Sequence, residues 1–232
     1  MKAILQSVFL ALAIIALAVP AIAGPLLDGV LAYKRGDYVT ALRLFRPLAE
    51  QGDADARYGL GFMYRHGQGV PQDYAEAVKW LRMAAEQGHT GAQSDLGFMF
   101  EFGRGVRQDD AEMLKWYRMA AEQGNAQGQT KLGYMYLSGR GVPQDDAEAL
   151  RWNRKAAEQG FADAQFNLGL MYEKGNGVPQ DYVSAHMWIN LAAAQGMETA
   201  KEARDDVAKN MTPDQIAEAQ SMAREWLAQH QQ

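Results

Sequence analysis

Small and apolar residues recur along this chain with a helical spacing, in two kinds of segment that alternate. One stripe consists of Ala56, Leu60, Gly61 and Tyr64. Its members are separated by the i+4, i+5 and i+8 steps that place residues on one face of an α-helix. A second stripe with the same periodicity consists of Ala77, Trp80, Leu81, Ala84 and Ala85. The pattern therefore predicts a pair of helices, which we name helix A and helix B.

A glycine-rich loop is predicted between the two helices of a pair. Gly67 and Gly69 permit positive φ, and Pro71 cannot continue a helix, so helix A ends here. Asp73 then predicts an N-cap for helix B, and Glu76 three residues later completes the pattern of a capping box. The box recurs as Asp109/Glu112 and Asp145/Glu148, whereas the fourth copy has Ser184 in place of the glutamate.

These landmarks recur every 36 residues, which indicates a repeat array. The clearest markers are the tryptophans, which are Trp80, Trp116, Trp152 and Trp188. Two short helices cannot bury their apolar faces alone, so successive pairs must stack into a solenoid. Each tryptophan is predicted to be part of the scaffold, because Trp80, for example, lies between alanines at i−3 and i+4.

One string of residues recurs in each repeat, with mild departures at Phe100, Met113 and Gly128, and identifies a family by resemblance. From Ala56 to Gly88 it reads Ala-x3-Leu-Gly-x2-Tyr-x2-Gly-x-Gly-Val-x2-Asp-x3-Ala-x2-Trp-x3-Ala-Ala-x2-Gly. It resembles the Sel-one-like repeat (SLR), a relative of the tetratricopeptide repeat, and four copies match, at 53–88, 89–124, 125–160 and 161–196. The resemblance implies an all-α, right-handed α/α solenoid. The flanking segments predict a shortened N-terminal helical repeat over 24–52 and C-terminal capping helices over 197–232.

Residues 1–23 have the pattern of a cleavable signal peptide. Lys2 precedes an apolar run of sixteen residues, and Ala21 and Ala23 supply the small residues of a cleavage site. An uncleaved anchor is the alternative, but the run is shorter than the roughly 20 residues that span a bilayer. We expect cleavage before Gly24, a secreted, periplasmic protein, and no membrane span after cleavage.

Composition removes several kinds of chemistry from consideration. The net charge of −5 gives no basic footprint for nucleic acid. Without cysteine the chain has no disulfide scaffold, zinc finger or thiol nucleophile. The four histidines share no metal-ligand spacing, and no catalytic or phosphate-binding motif is present. We therefore predict no catalytic residues, no cofactor and no metal, and a protein that is not an enzyme.

Partner binding is expected where the repeats differ on a shared face. The resemblance implies that helix A lines a concave side, and positions at i, i+4, i+7 and i+11 of this helix vary between units. The predicted groove residues are Phe62, His66, Asp95, Phe98, Phe102, Lys131, Tyr134, Asn167, Leu170 and Lys174. The polar members are expected at the surface, with Lys131 as a positive point for an acidic group on the partner. The apolar position shared by Phe62 and Leu170 is either groove or inter-repeat core.

The resemblance favours a non-catalytic, exported scaffold or adaptor that binds a partner peptide or protein domain. Two alternatives belong to other classes. Some cysteine-rich relatives have been linked to penicillin binding and hydrolysis, which suggests a cell-envelope hydrolase, although this chain has no cysteine and no visible nucleophile–base pair. A structural protein that binds cell-wall glycan through exposed aromatic side chains is the other alternative.

Overall fold

The computed structural model describes residues 24–230, which form twelve α-helices and contain no β-strand. The helices are α1 (Pro25–Lys34), α2 (Tyr38–Glu50), α3 (Ala54–His66), α4 (Tyr74–Glu86), α5 (Thr90–Phe102), α6 (Asp110–Glu122), α7 (Ala126–Ser138), α8 (Asp146–Glu158), α9 (Ala162–Lys174), α10 (Tyr182–Ala194), α11 (Glu198–Ala208) and α12 (Pro213–His230). The predicted signal peptide lies outside the described residues. None of the described helices is both long enough and apolar enough to cross a bilayer.

The chain divides into two compact units, each built from stacked helix pairs. The first unit ends at His89 and contains α1 to α4, and the second begins at Thr90 and contains α5 to α12. Within each unit a helix packs against its partner in the pair and against the following pair. The nine helices from α2 to α10 are each 13 residues long, as expected for a regular repeat. The predicted all-α repeat solenoid is confirmed.

The predicted capping boxes are formed only in half. Asp109 and Asp145 accept hydrogen bonds from backbone N–H groups two and three residues later, as N-caps do. The reciprocal bond is absent, because the backbone N–H of Asp145 donates to the carbonyl of Tyr136 at the end of the preceding helix, at 3.0 Å. The glutamate therefore does not close the box, and that part of the sequence prediction is wrong.

The glutamates instead accept hydrogen bonds from the tryptophan indoles. The indole N–H of Trp116 donates to Glu112 at 2.9 Å, and that of Trp152 donates to Glu148 at 3.1 Å. Arg151 lies over the Trp152 ring, 4.2 Å from its centroid, and also binds Glu148, which lowers the pKa of that carboxyl. Both indoles are buried, which agrees with the predicted scaffold role, whereas Trp80 and Trp188 are half-buried.

Trp188, the tryptophan of the fourth repeat, is covered in another way, by the C-terminal helix. Four residues before Trp188, Ser184 stands where the earlier repeats have the glutamate. The residue directly before Trp188, Met187, is apolar where the earlier repeats have a lysine or an arginine. Met187 and Leu191 pack against alanines of α12, and the Trp226 ring lies 6.0 Å from that of Trp188. The C-terminal helix α12 thus packs on the apolar face of α10, while the capping role of the C-terminal segment stays a prediction.

Pairs of glutamines, each made of an exposed donor and a buried acceptor, connect neighbouring helices of the second unit. The side-chain amide of Gln123 donates to Gln93, that of Gln159 to Gln129, and that of Gln195 to Gln165, at 2.8–2.9 Å. We name these three pairs the glutamine ladder. Gln129 and Gln165 in turn donate to carbonyls at the end of the preceding helix B. Because a buried amide must be hydrogen-bonded, the ladder holds the helices in one register.

Two glycines of the repeat are required by close approach. A Cβ on Gly61 would lie 2.7 Å from Cγ of Leu81, so α3 and α4 can pack closely only with glycine there. Gly177, in the loop after α9, has φ +68° and lies against the backbone carbonyl of Asp146 at the start of α8. A side chain at this second site would be both strained and obstructed.

Candidate interaction surfaces on the A helices

In the first unit, the predicted groove residues Phe62 and His66 lie one turn apart on α3. Their ring centroids are 4.2 Å apart, and His66 is exposed whereas Phe62 is half-buried. The edges of Tyr33 and Tyr58 approach Phe62, with centroid distances of 6.0 and 6.3 Å. The predicted position thus belongs to an aromatic cluster that includes two residues the sequence did not single out.

This cluster lines a pocket of about 430 Å³, which we name the first-unit pocket. Its apolar lining consists of Leu26, Val30, Tyr33, Phe45, Tyr58, Gly59 and Phe62. Phe45 is buried, and a Cβ on Gly59 would lie 3.1 Å from the Phe45 ring. The lining at position 59 is therefore tightly packed against Phe45.

Polar groups surround the first-unit pocket at its rim. Asp55 Oδ1 lies 3.3 Å from His89 Nε2, and the His89 ring stacks on Tyr58 with centroids 4.3 Å apart. The hydroxyl of Tyr33, which lines the pocket from α1, donates to the side chain of Gln68 at 2.6 Å. Burial raises the pKa of Tyr33, so its hydroxyl remains a donor at neutral pH.

In the second unit, aromatic rings of the predicted groove are exposed. Phe102 is 52% exposed and Tyr134 is 51% exposed, and the Phe98 ring lies 4.6 Å from that of Phe102. The Arg104 guanidinium lies over both phenylalanine rings, at 5.2 and 5.8 Å, and Lys131 Nζ lies 5.8 Å from Phe102. We name Phe98, Phe102 and Tyr134 the second-unit aromatic patch.

The lysine beside this patch is already paired. Lys131 Nζ lies 3.0 Å from Glu101, which is only 9% exposed and also accepts a hydrogen bond from the Tyr117 hydroxyl at 2.7 Å. Arg140 lies 3.8 Å from the same carboxylate and binds Asp110 at 2.7 Å, a hydrogen bond that raises the pKa of Arg140. The prediction that Lys131 is an available positive point is wrong, because Glu101 already neutralises the lysine ammonium.

The remaining predicted residues do not form one surface. Asp95 is 5% exposed, so its expected surface position is wrong: α5 is buried at every position from 92 to 97. Asn167 donates to the buried Asn153 at 3.3 Å. Leu170 is half-buried and packs against the buried side chains of α10 and α11. Lys174 is exposed in the last turn of α9.

Residues that sequence reasoning missed carry much of the local geometry. Tyr33, Tyr58 and His89 shape the first-unit pocket, and Glu101 organises the second unit's ion pairs. A usable signal existed at Gly59, a glycine at a helix A position where the next three repeats have Asp95, Lys131 and Asn167. Within residues 24–230, no group of three or more histidine, aspartate or glutamate side chains is arranged to hold a metal ion.

Stacked A and B helices with glycine loops define the chain as an α/α repeat scaffold. The sequence model of the Sel1 repeat matches residues 23–53, 54–89, 90–125, 126–161 and 162–197, and the chain belongs to the Sel1 repeat family. The match at 23–53 adds a fifth repeat where the sequence indicated only a shortened unit. Sel1 repeats build scaffolds for protein–protein interaction.

Solved structures agree with this assignment. A protective antigen of uropathogenic Escherichia coli with an SLR fold is 36% identical at a TM-score of 0.76, and the match covers 82% of this chain and 41% of that one. This chain thus spans less than half the length of the antigen. A Sel1 repeat protein from Oxalobacter formigenes is 33% identical, with a TM-score of 0.76 and coverage of 88% and 83%. An immunity protein from Pseudomonas aeruginosa, 20% identical at a TM-score of 0.56 and with coverage of 88% and 81%, shares the fold. A search of curated proteins gave no match.

Proposed function

We propose that this protein is an exported, non-catalytic scaffold that binds a partner peptide or protein domain through the A-helix faces of its units. The observation that carries the proposal is the exposure of Phe102 and Tyr134. Both occupy positions that vary between repeats, on the face where the sequence predicted a groove. Variable side chains on a constant scaffold are the means by which a repeat protein acquires a specific partner.

The chemistry of the second-unit aromatic patch suits a protein partner. Aromatic and arginine side chains are enriched among the residues that dominate the binding energy of protein interfaces. Fully burying one such ring stabilises a complex by about 1.5–3 kcal/mol. Arg104 and Lys131 each lie 5.8 Å from the centroid of the Phe102 ring, and such contacts restrict the ring before a partner arrives.

A photo-crosslinking amino acid placed at each exposed ring tests this function in the native compartment. Substitution at Phe102 and at Tyr134 should give adducts of the same partner, identified by mass spectrometry. Glu158, exposed on helix B in α8, is the matched control and should give none. Adducts of unrelated masses at the two positions, or equal capture at Glu158, would contradict the proposal. Turnover of a penicillin reporter by the purified protein would instead support the hydrolase alternative.

Export is tested separately, on the protein isolated from the cell envelope. We expect an N-terminus at Gly24, because Ala21 and Ala23 provide the small residues that a signal peptidase requires. Intact-mass measurement of the exported protein checks this directly. An exported chain that retains Met1 would show that the segment is an anchor.

A further inference from the structure

The first-unit pocket differs from the second-unit aromatic patch in being concave. Its volume of about 430 Å³ lies in the range of ligand pockets, and apolar side chains from α1, α2 and α3 form most of its lining. An aliphatic or aromatic group of the size of a phenylalanine side chain can enter a cavity of this kind. A polar group placed deep inside would lose its hydrogen bonds to water.

One residue that lines the pocket is particular to this repeat. Position 59 is glycine, whereas the equivalent positions of the next three repeats are Asp95, Lys131 and Asn167. Since a Cβ at 59 would lie 3.1 Å from the Phe45 ring, a larger side chain there would crowd this part of the lining.

The rim adds a charge to the apolar cavity. Asp55 is 67% exposed, so its carboxylate stays open to solvent although Oδ1 lies 3.3 Å from His89 Nε2, unlike the ion pair of Lys131 with the buried Glu101. Aromatic ring faces attract cations, and the chain as a whole carries a net charge of −5. The charge complementarity of this mouth favours a positively charged group on the ligand, next to the apolar group that fills the cavity.

We propose that the first-unit pocket holds a peptide segment of the partner in which an apolar or aromatic side chain is followed by a basic one. The apolar side chain occupies the cavity formed by Val30, Phe45 and Phe62, and the basic side chain reaches Asp55 at the rim. This assignment rests on the proposed scaffold function and specifies the chemistry of one contact.

Blocked hexapeptides with a central pair in a Gly/Ser background test the assignment by titration into the purified protein, followed by NMR. A Phe-Arg peptide should bind with shifts at Tyr58 and Phe62. A Gly-Arg peptide should bind about 10-fold or more weakly, because it lacks the buried ring. A Phe-Glu peptide should bind about two- to fivefold more weakly, as expected for one exposed ion pair. Equal binding of Phe-Arg and Phe-Glu, or no saturable binding of Phe-Arg, would overturn the assignment.

Variants locate the binding in the protein. Asp55→Asn should abolish the preference for arginine over glutamate, and Asp28→Asn, an exposed carboxylate of α1 outside the pocket, should retain it. Val30→Trp should weaken both phenylalanine peptides by filling the cavity, and its far-UV circular dichroism reports whether it folds. If Val30→Trp is unfolded, Gly59→Asn fills the same space. Undiminished binding by a folded filling variant would place the peptide elsewhere and overturn the assignment. Crosslinking at Phe102 and Tyr134 does not depend on this pocket, so the scaffold function can stand if the assignment fails.

Discussion

Replacing Lys131 by glutamate should destabilise the second unit, because it places a second carboxylate beside the buried Glu101. In the native protein the two side chains are 3.0 Å apart, with Lys131 31% exposed and Glu101 9% exposed. Removing one partner of a buried ion pair costs about 3–5 kcal/mol. Tyr117 and Arg140 still bind Glu101 in the variant, so the loss of the lysine alone is nearer the ~1.5–3 kcal/mol of one hydrogen bond to a charged group.

Charge reversal adds repulsion to this loss. Two carboxylates about 4 Å apart repel by roughly 4 kcal/mol at an effective dielectric constant of 20, but rotation of the partly exposed new side chain toward water relieves much of it. We therefore expect Lys131→Met to lower the free energy of unfolding by about 2 kcal/mol and Lys131→Glu by about 3–4 kcal/mol.

Urea denaturation followed by far-UV circular dichroism measures these differences. The exposed Lys79→Glu substitution is the matched charge reversal and should change the free energy of unfolding by about 0.5 kcal/mol or less. A double-mutant cycle of Lys131→Met with Glu101→Gln should give a coupling of about 1–2 kcal/mol. If Lys131→Glu unfolds like the native protein, then Glu101 does not hold the lysine and the side chain is free to bind a partner.

Three further predictions concern the stability of variants in the second unit. Trp152→Ala should lower the free energy of unfolding by about 3–5 kcal/mol in the same urea assay, and an unchanged midpoint would show that the indole is not core. Gly177→Ala should cost more than Gly124→Ala, which also has positive φ but open space around it, and equal losses would show that the Asp146 carbonyl is no obstacle. Burial lowers the pKa of His186, so the unfolded chain binds a proton that the folded one resists, and stability should fall as pH drops below about 6.5. The thermal midpoint should therefore fall less between pH 7.5 and 5.0 in His186→Gln than in the native protein, and an equal fall would contradict this.

The sequence was sufficient for the scaffold because the scaffold is local and repeated. A 3.6-residue spacing, a glycine at each loop and an aspartate at each helix B start all act within a few residues of one another, and Trp116 and Trp152 are buried as predicted. Asp145 shows where such local reasoning fails. The glutamate three residues later has the spacing of a capping box, but the backbone N–H of Asp145 donates to the carbonyl of Tyr136. The glutamate instead accepts a hydrogen bond from an indole.

The candidate site was less predictable because its contacts join residues far apart in the chain. Helix periodicity placed Lys131 on a shared face, but not the carboxylate of Glu101, 30 residues earlier, that reaches it. The same periodicity grouped Leu170 with Phe62, and both are half-buried, but Leu170 packs against the side chains of two neighbouring helices whereas Phe62 lines a pocket. The accessibility of the side chain at a variable position depends on the side chains packed around it, and these belong to other repeats.

The glutamine ladder has a consequence for how the gene can change. Every rung has the same donor and acceptor, as in Gln123 to Gln93 and Gln159 to Gln129, and successive rungs are 36 residues apart. Recombination that removes or duplicates one whole repeat therefore leaves each buried glutamine amide with a glutamine donor at the same position. An insertion or deletion of any other length within the repeat would bury an amide without its partner, at a cost of about 1–3 kcal/mol. The number of repeats can thus vary in units of 36 residues while the register between helices is preserved.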